Sequence, residues 1–221
     1  MDHKITALKL QKRNRQRVNV YLDGEFAFGL ARIVTAWLQV GQELSDEKIA
    51  QLKSEDAREV AYQRALKFLE YRPRTEEEIR RNLRKHEVPE EFVAATVERL
   101  ERAGLINDLR FAKNWVENRS DRRPRGRRAL AYELRQKGVN RQAIERALED
   151  VDEERLAYRA AIKHSRKLRK LDQQEFRRKL YGYLSRRGFS YAVSAPVVSQ
   201  VWEQIHENET IQEDFSEEVD K

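Results

Sequence analysis

Arginines are concentrated in one short stretch, where they could bind phosphate or carboxylate groups. Six of the ten residues from Arg119 to Arg128 are arginine, and Pro124 and Gly126 interrupt the run. We expect a loop here that leads into the N-terminus of a helix, which itself attracts anions. Adding cations there predicts an anionic partner, which guanidinium groups can hold through paired hydrogen bonds. A solvated helix face is the alternative. The first candidate site comprises Arg119, Arg122, Arg123, Arg125, Arg127 and Arg128.

A second basic region lies further along the chain. Between Lys163 and Arg187 there are ten lysines or arginines and two acids, whereas the residues from Glu207 to Lys221 include seven acids and one lysine. Basic blocks of this kind favour nucleic acid or an acidic protein surface as partner. Arg186 and Arg187 are explained by the end of a helix, where positive charge is favourable. The second candidate site comprises Lys163, Arg166, Lys167, Arg169, Lys170, Arg177 and Arg178.

Residue patterns typical of catalysis are absent from the sequence. The eight glycines form neither GxxxxGK nor GxGxxG, and neither GxSxG nor HExxH occurs. The chain has no cysteine, and its four histidines lack the spacing of a zinc site. We therefore expect no cofactor, no metal and no enzymatic activity.

Apolar residues recur in three copies about 50 residues apart, with constant internal spacing. The first two positions of each copy are four residues apart, one helical turn, and belong to the middle helix of a predicted three-helix repeat. We predict helices at about 56–70, 75–86 and 90–103, then 108–120, 125–137 and 140–150, then 153–170, 173–187 and 195–206. The recurring positions are Ile79, Leu130 and Leu180; Leu83, Leu134 and Leu184; Val88, Val139 and Phe189; Val97, Leu148 and Val198; and Leu100, Val151 and Val201.

The first 54 residues show a different pattern. Residues 4–30 alternate apolar and polar side chains as strands do, and Asp23-Gly24 between two such runs predicts a tight hairpin. A short helix with Ile33, Val34, Trp37 and Leu38 on one face is expected next, and Ser45 is expected to cap another through Leu52.

Charged residues make up 38% of the 221 residues, which requires a large surface for the volume. We therefore expect a mainly α protein, an elongated tandem array of three three-helix repeats after a small N-terminal segment that contains a β-hairpin. No apolar run approaches the length that a membrane helix needs, and no signal peptide is evident. A cytoplasmic monomer is therefore expected. The predicted divisions are a β-rich segment at 1–54, repeats at 55–105, 106–151 and 152–207, and an acidic, disordered tail at 208–221.

Several short strings resemble the RecX family in order and spacing. Thr75-x-x-Glu78-Ile79-x-x-x-Leu83 and Gly104-Leu105-Ile106-Asn107-Asp108 resemble the first half of its core, and Glu133-Leu134-Arg135-Gln136-Lys137-Gly138-Val139 resembles the second. Leu184-Ser-Arg-Arg187-Gly188-Phe189 resembles its third module. The resemblance covers residues 57–206 and, more loosely, the N-terminus. It departs at His86-Glu87, where Lys-Gly is usual and a different helix end is therefore expected, and at Asn107, where aspartate is usual.

The resemblance implies a regulator that binds RecA and the RecA–single-stranded DNA filament. It implies inhibition of ATPase, recombinase and coprotease activities, hence a role in homologous recombination, DNA repair and the SOS response, with weak or moderate non-specific binding of single-stranded DNA. Arg122, Arg123, Arg125, Arg127 and Arg128 are the expected contacts, followed by Lys167, Arg169 and Lys170. The alternative is a direct DNA-binding protein or transcription regulator built from three-helix modules.

Overall fold

The computed structural model describes the backbone of residues 2–219 and the side chains of residues 2–205. The chain forms two compact units, Met1–Ile106 and Asn107–Lys221, hereafter the N-terminal and C-terminal units. Four strands are followed by helices alone, which confirms a mainly α protein with three three-helix repeats after a small β segment. In the described residues, no helix is both long and apolar enough to cross a membrane.

The N-terminal sheet is antiparallel, with strand order β3-β2-β1-β4. Its strands are β1 (Asp2–Leu10), β2 (Arg17–Leu22), β3 (Glu25–Ala31) and β4 (Glu43–Ser45). The predicted hairpin is confirmed: Asp23 and Gly24 join β2 to β3 with φ values of +52° and +92°. These values are typical of the two-residue turn that matches the twist of paired strands. One face of the sheet is buried, with Ile5, Val20 and Leu30 in the core.

The predicted helix around residues 33–38 is wrong. Turns occupy this segment, with Val34 and Leu38 buried but Ile33 and Trp37 61% and 78% exposed. The amides of Val34 and Leu38 donate to carbonyls three residues earlier, and Gly41 donates to the carbonyl of Ile5 on β1. Val34 and Leu38 therefore hold the segment against the sheet core. The segment leads into β4, a strand that the sequence pattern does not predict.

Helix α1 runs from Asp46 to Leu69 without interruption, whereas the sequence pattern predicts one helix that ends at Leu52 and another that begins at 56. Ser45 caps it as predicted, accepting a hydrogen bond from the amide of Lys48. Neither glycine nor proline lies between residues 46 and 69, so nothing breaks the helix. The predicted division at 54–55 falls inside α1.

Eight further helices follow in the described residues. The first repeat is completed by α2 (Glu76–Lys85) and α3 (Glu90–Arg102). The second comprises α4 (Asp108–Arg122), α5 (Arg127–Gln136) and α6 (Arg141–Leu148), and the third comprises α7 (Glu153–Ser165), α8 (Gln173–Arg186) and α9 (Tyr191–Val219). Helix α7 ends five residues before the predicted boundary, and α9 extends beyond the predicted end at 206. The predicted disordered tail, 208–221, falls on residues whose side chains lie outside the described part of the chain.

The recurring apolar positions form the cores of the three repeats. On the middle helices α2, α5 and α8, both members of each pair one turn apart are fully buried. Side chains also cap the starts of two helices, α2 and α4. Thr75 and Glu78 form a capping box, and Asn107 accepts a hydrogen bond from the amide of Arg110. The six buried middle-helix residues are Ile79 and Leu83, Leu130 and Leu134, and Leu180 and Leu184.

All three middle helices end in the same geometry. The amides of Val88, Val139 and Phe189 each donate to the carbonyl five residues earlier, across a residue in the left-handed region. In the second and third repeats that residue is Gly138 or Gly188, but in the first it is Glu87, with a φ of +58°. The expectation that the first repeat ends differently is therefore wrong, because Glu87 adopts the conformation that glycine takes elsewhere.

Replacing Glu87 with glycine should stabilise the protein. A side chain in the left-handed region is strained, so Glu87→Gly should raise the free energy of unfolding by about 1 kcal/mol. Urea denaturation of the full chain monitored by circular dichroism measures it. The reverse change at the matched position, Gly138→Glu, should lower the free energy of unfolding. A destabilised Glu87→Gly variant would contradict this account.

Two glycines permit close packing between the second and third repeats. The amide of Gly126 donates to the carbonyl of Arg187, and a Cβ on Gly126 would lie 2.3 Å from the carbonyl oxygen of Gly188. A Cβ on Gly188 would in turn lie 2.5 Å from that of Ala129. Because backbone atoms are on both sides of this contact, neither glycine can be replaced without displacing one repeat from the other.

Gly126→Ala should therefore destabilise the C-terminal unit by about 1–3 kcal/mol, as overpacking does elsewhere. Thermal unfolding by circular dichroism measures the effect. Gly182→Ala is the control, because Gly182 lies inside α8 and its Cβ would meet only the flexible end of Arg186, at 3.3 Å. That control should stabilise by about 0.5–1 kcal/mol. If Gly126→Ala and Gly182→Ala shift the thermal unfolding midpoint equally, the close backbone contact at Gly126 is contradicted.

Candidate nucleic-acid and partner interface

The first candidate site spans the end of α4, a short linker and the start of α5. Arg119 and Arg122 lie in the last turn of α4, and Arg127 and Arg128 are the first two residues of α5. Only Arg125 and the cap residue Arg123 lie between the helices, with Pro124 and Gly126. The loop is four residues long, as the predicted helices imply, but it lies two residues further along the chain. Most of these arginines therefore begin from helical backbone.

Two of these arginines bind a largely buried carboxylate. Glu133 on α5, whose side chain is 15% exposed, accepts hydrogen bonds at Oε2 from Arg119 Nε and Trp115 Nε1, both at 2.8 Å. Its Oε1 lies 3.0 Å from Arg125 Nη1. The Arg119 guanidinium also lies 4.6 Å from the centroid of the Trp115 ring. One acid thus fixes both arginines against the repeat core, where they stabilise the α4–α5 corner.

Arg127 is also occupied within the protein. Its Nη2 donates to the carbonyl oxygens of Glu149 and Val151, at 3.3 and 2.7 Å, just beyond the end of α6. Its backbone amide donates to the carboxylate of Glu153 at 3.0 Å. The carboxylate of Glu153 on α7 therefore already neutralises part of the positive charge at the N-terminus of α5. The need for an external anion at this helix end is smaller than the sequence suggests.

The remaining three arginines are available to a partner. The side chains of Arg122, Arg123 and Arg128 are exposed, and they have no acidic partner within residues 2–205. The sequence alone does not distinguish these three from Arg119, Arg125 and Arg127. Only the fold shows that Glu133, Glu149 and Glu153 are the partners of the latter. We refer to Arg122, Arg123 and Arg128 as the open arginines.

The second candidate site surrounds the end of α7. Lys163 lies in its last turn, and Arg166, Lys167, Arg169 and Lys170 lie in the turns that follow. All five are exposed and have no acidic partner within residues 2–205. The negative end of the helix offsets part of their mutual repulsion. Leu168 is buried among them and anchors the segment to the core of the third repeat.

Arg177 and Arg178 on α8 differ from these five. Arg178 pairs with Glu175 at 3.0 Å one turn earlier, an exposed pair of small energetic value. Arg177 is half-buried, with Nη2 within 3.4 Å of Ser199 Oγ. Arg177 therefore helps to attach α8 to α9 and is a weaker candidate for partner contact.

Beside the second site, His164 stacks on Tyr183 with ring centroids 3.7 Å apart and an interplanar angle of 2°. The guanidinium of Arg187 lies 4.7 Å from the centroid of the same tyrosine ring. Burial lowers the pKa of His164, and the charges of Lys167, Arg187 and Arg186 lower it further. The folded state therefore binds this proton more weakly than the unfolded chain, so His164 makes stability fall as the pH drops through and below about 6.5.

The protonation of His164 reports whether an anion occupies the second site. Its NMR titration midpoint should lie below 6.5, and Lys167→Ala should raise it because one repelling charge is removed. Single-stranded DNA bound at Lys163, Arg166 and Lys167 should raise it as well. Lys113→Ala, a change outside the groups that shift His164, is the control. A midpoint unaffected by saturating DNA would place the DNA elsewhere.

Six aromatic residues of the C-terminal unit contribute to the repeat cores. Phe111 and Trp115 pack against the second core, and Tyr158, Tyr181, Tyr183 and Trp202 against the third. Within the described residues, no three histidine, aspartate or glutamate side chains are grouped to hold a metal ion.

Four family models match the chain in order. The RecX N-terminal domain matches residues 3–45, and the first, second and third RecX three-helix domains match residues 61–100, 107–148 and 152–197.

Curated relatives and solved structures agree with these matches. The regulatory protein RecX of Bacillus subtilis (strain 168) is 32% identical over 203 residues, covering 89% of this chain and 76% of the relative. That of Clostridium botulinum (strain Eklund 17B / Type B) is 30% identical over 204 residues, covering 89% and 95%. A crystal structure of a regulatory protein RecX superposes with a TM-score of 0.75 at 32% identity, covering 88% of this chain and 98% of the other. A second, from Lactobacillus salivarius, shares the fold, with a TM-score of 0.63 at 23% identity over 66% of this chain and 97% of the other. The chain therefore belongs to the RecX family of regulatory proteins.

Proposed function

We propose that this chain is a non-enzymatic regulator of RecA in the bacterial cytoplasm. It binds RecA and the RecA–single-stranded DNA filament as a monomer, and it mostly inhibits the ATPase, recombinase and coprotease activities of the filament. Membership in the RecX family supports this role, because the related chains, which match 89% of this chain, are named as regulatory proteins.

The observation that carries the proposal is the set of cations without partners on the C-terminal unit. The three open arginines and the five exposed residues of the second site have no acidic partner in residues 2–205. Eight such charges repel one another and are stabilised when an anionic surface approaches. A nucleoprotein filament offers both DNA phosphates and the carboxylates of its protein subunits, and guanidinium groups bind either.

The arginines bound to Glu133 and Val151 have a supporting role in this proposal. Arg119, Arg125 and Arg127 hold α4, α5 and α6 in place and thereby position the open arginines at the corner. Reversing the charge of all the expected contacts would therefore confound loss of binding with loss of folding. A sharper experiment changes the open arginines alone.

The triple variant Arg122→Glu, Arg123→Glu and Arg128→Glu should lose inhibition of RecA while keeping its helical content. We expect the concentration needed for half-inhibition of the single-stranded DNA-dependent RecA ATPase to rise by about tenfold or more, since several charge-assisted contacts are lost. Circular dichroism checks that the helical content is unchanged.

The matched control reverses three other exposed arginines, Arg102, Arg141 and Arg146, which lie outside both candidate sites. If the control and the triple variant lose inhibition equally, net charge alone is responsible and the site is wrong. If the unchanged protein leaves the ATPase unaffected yet binds DNA tightly with a steep salt dependence, it is a direct DNA-binding protein or transcription regulator instead.

A further inference from the structure

The N-terminal sheet has a second face whose side chains are exposed or half-buried. Strand register places Lys9 opposite Asn19 and Tyr21 opposite Phe26. These residues alternate with Val18, Val20 and Leu22, which are buried on the other face. We call the group Lys9, Gln11, Asn19, Tyr21 and Phe26 the outer sheet face.

Two aromatic rings lie next to each other on this face. Tyr21 and Phe26 contact edge to face, with ring centroids 6.0 Å apart, and Phe26 is 58% exposed. A ring left this open gains little from the protein's own core. It offers a flat apolar surface to a partner that can stack on it.

A pair of amides lies beside the rings. Gln11 Nε2, just after β1, donates to Asn19 Oδ1 on the neighbouring strand β2 at 2.8 Å. A Cβ on Gly29 would come within 2.8 Å of the same nitrogen, so glycine at this position leaves room for the Gln11 side chain. The remaining amide donors and acceptors have no partner in the described residues, and they could hydrogen-bond the edge of an unpaired base.

Cations surround the rings and the amides. Lys9 Nζ lies 4.9 Å from the centroid of the Tyr21 ring. Lys12, Arg13 and Arg15, in the loop between β1 and β2, are exposed and have no acidic partner within residues 2–205. Arg17 differs, because its Nη2 donates to Asp56 at 2.9 Å and to the carbonyl of Gly29 at 2.7 Å, which makes it part of the fold.

We propose that the outer sheet face is a binding site for single-stranded DNA. Bases stack on Phe26 and Tyr21, the Gln11–Asn19 amides contact base edges, and Lys9 with the loop cations contacts the phosphates. An acidic protein surface could also contact the cations and the ring, but the open ring, the free amide groups and the cations together match a polyanion with flat, unpaired bases. This inference rests on the DNA-binding part of the proposed function and assigns it a site in the N-terminal unit.

The test compares single-stranded with duplex DNA binding by the full chain. Phe26→Ala should weaken binding of a fluorescein-labelled oligothymidylate of about 20 nucleotides by about fivefold or more, measured by fluorescence anisotropy. Binding of a duplex of the same length should change by less than about twofold, because paired bases cannot stack on the ring. Phe26→Trp should retain affinity, and its added fluorescence should be quenched by the oligonucleotide. Lys9→Ala should reduce the slope of log affinity against log salt by about 0.7.

Trp37→Ala is the matched control, since Trp37 is an even more exposed aromatic ring of the same unit, at 78%, and lies outside the outer sheet face. The inference is overturned if Phe26→Ala binds the oligonucleotide as the unchanged protein does, or weakens single-stranded and duplex DNA equally. It is also overturned if the unchanged protein binds no oligonucleotide. Inhibition of the RecA ATPase, measured in parallel, distinguishes these failures from a failure of the proposed function, because inhibition tests RecA regulation without depending on this face.

Discussion

Each three-helix repeat depends on the burial of two apolar side chains one turn apart on its middle helix. These helices are 10 to 14 residues long, and each has a fully buried pair such as Ile79 and Leu83. Burying a leucine or isoleucine completely contributes about 1.5–3 kcal/mol, so two such residues supply much of what a small repeat can gain. Because only two or three positions of each middle helix are buried, its other positions can be charged without loss of the fold.

The many charged positions also allow neighbouring arginines to differ in role, some held by the fold and others exposed. Glu133 is one turn from the buried Leu130 and adjacent to Leu134, and it holds Arg119 and Arg125 against the core. Val151 and Glu149 hold Arg127 in a similar way. The arginines between these anchors project from a corner whose geometry is already set, which reduces the entropy lost when a partner binds.

The sequence predicted what depends on local pattern and failed where distant contacts decide. The recurring apolar positions, the Ser45 cap and the Asp23-Gly24 hairpin all follow from spacing or from the preferences of single residues. The turns at residues 32–38 could not be distinguished from a helix, because the contact of Gly41 with Ile5 on β1 is not visible along the chain. The roles of Arg125 and Arg127 were missed for the same reason, since only the folded chain brings Glu133 and the residues that follow α6 next to them. The assignment of the two basic groups to partner contact stays a prediction.

Helix α1 joins parts of the chain that the sequence appeared to separate. Leu52, in its first half, belongs to the core of the sheet, whereas Ala61 and Ala65, in its second half, belong to the core of the first repeat. Between them, Asp56 accepts a hydrogen bond from the amide of Ala31 and binds Arg17. If α1 unfolded, both the sheet core and the core of the first repeat would be exposed. The sheet and the first repeat therefore form one cooperative folding unit. A relative without the sheet would need a new N-terminus for the first helix of its first repeat. The boundary at which evolution adds or removes the sheet therefore need not be a boundary between folding units.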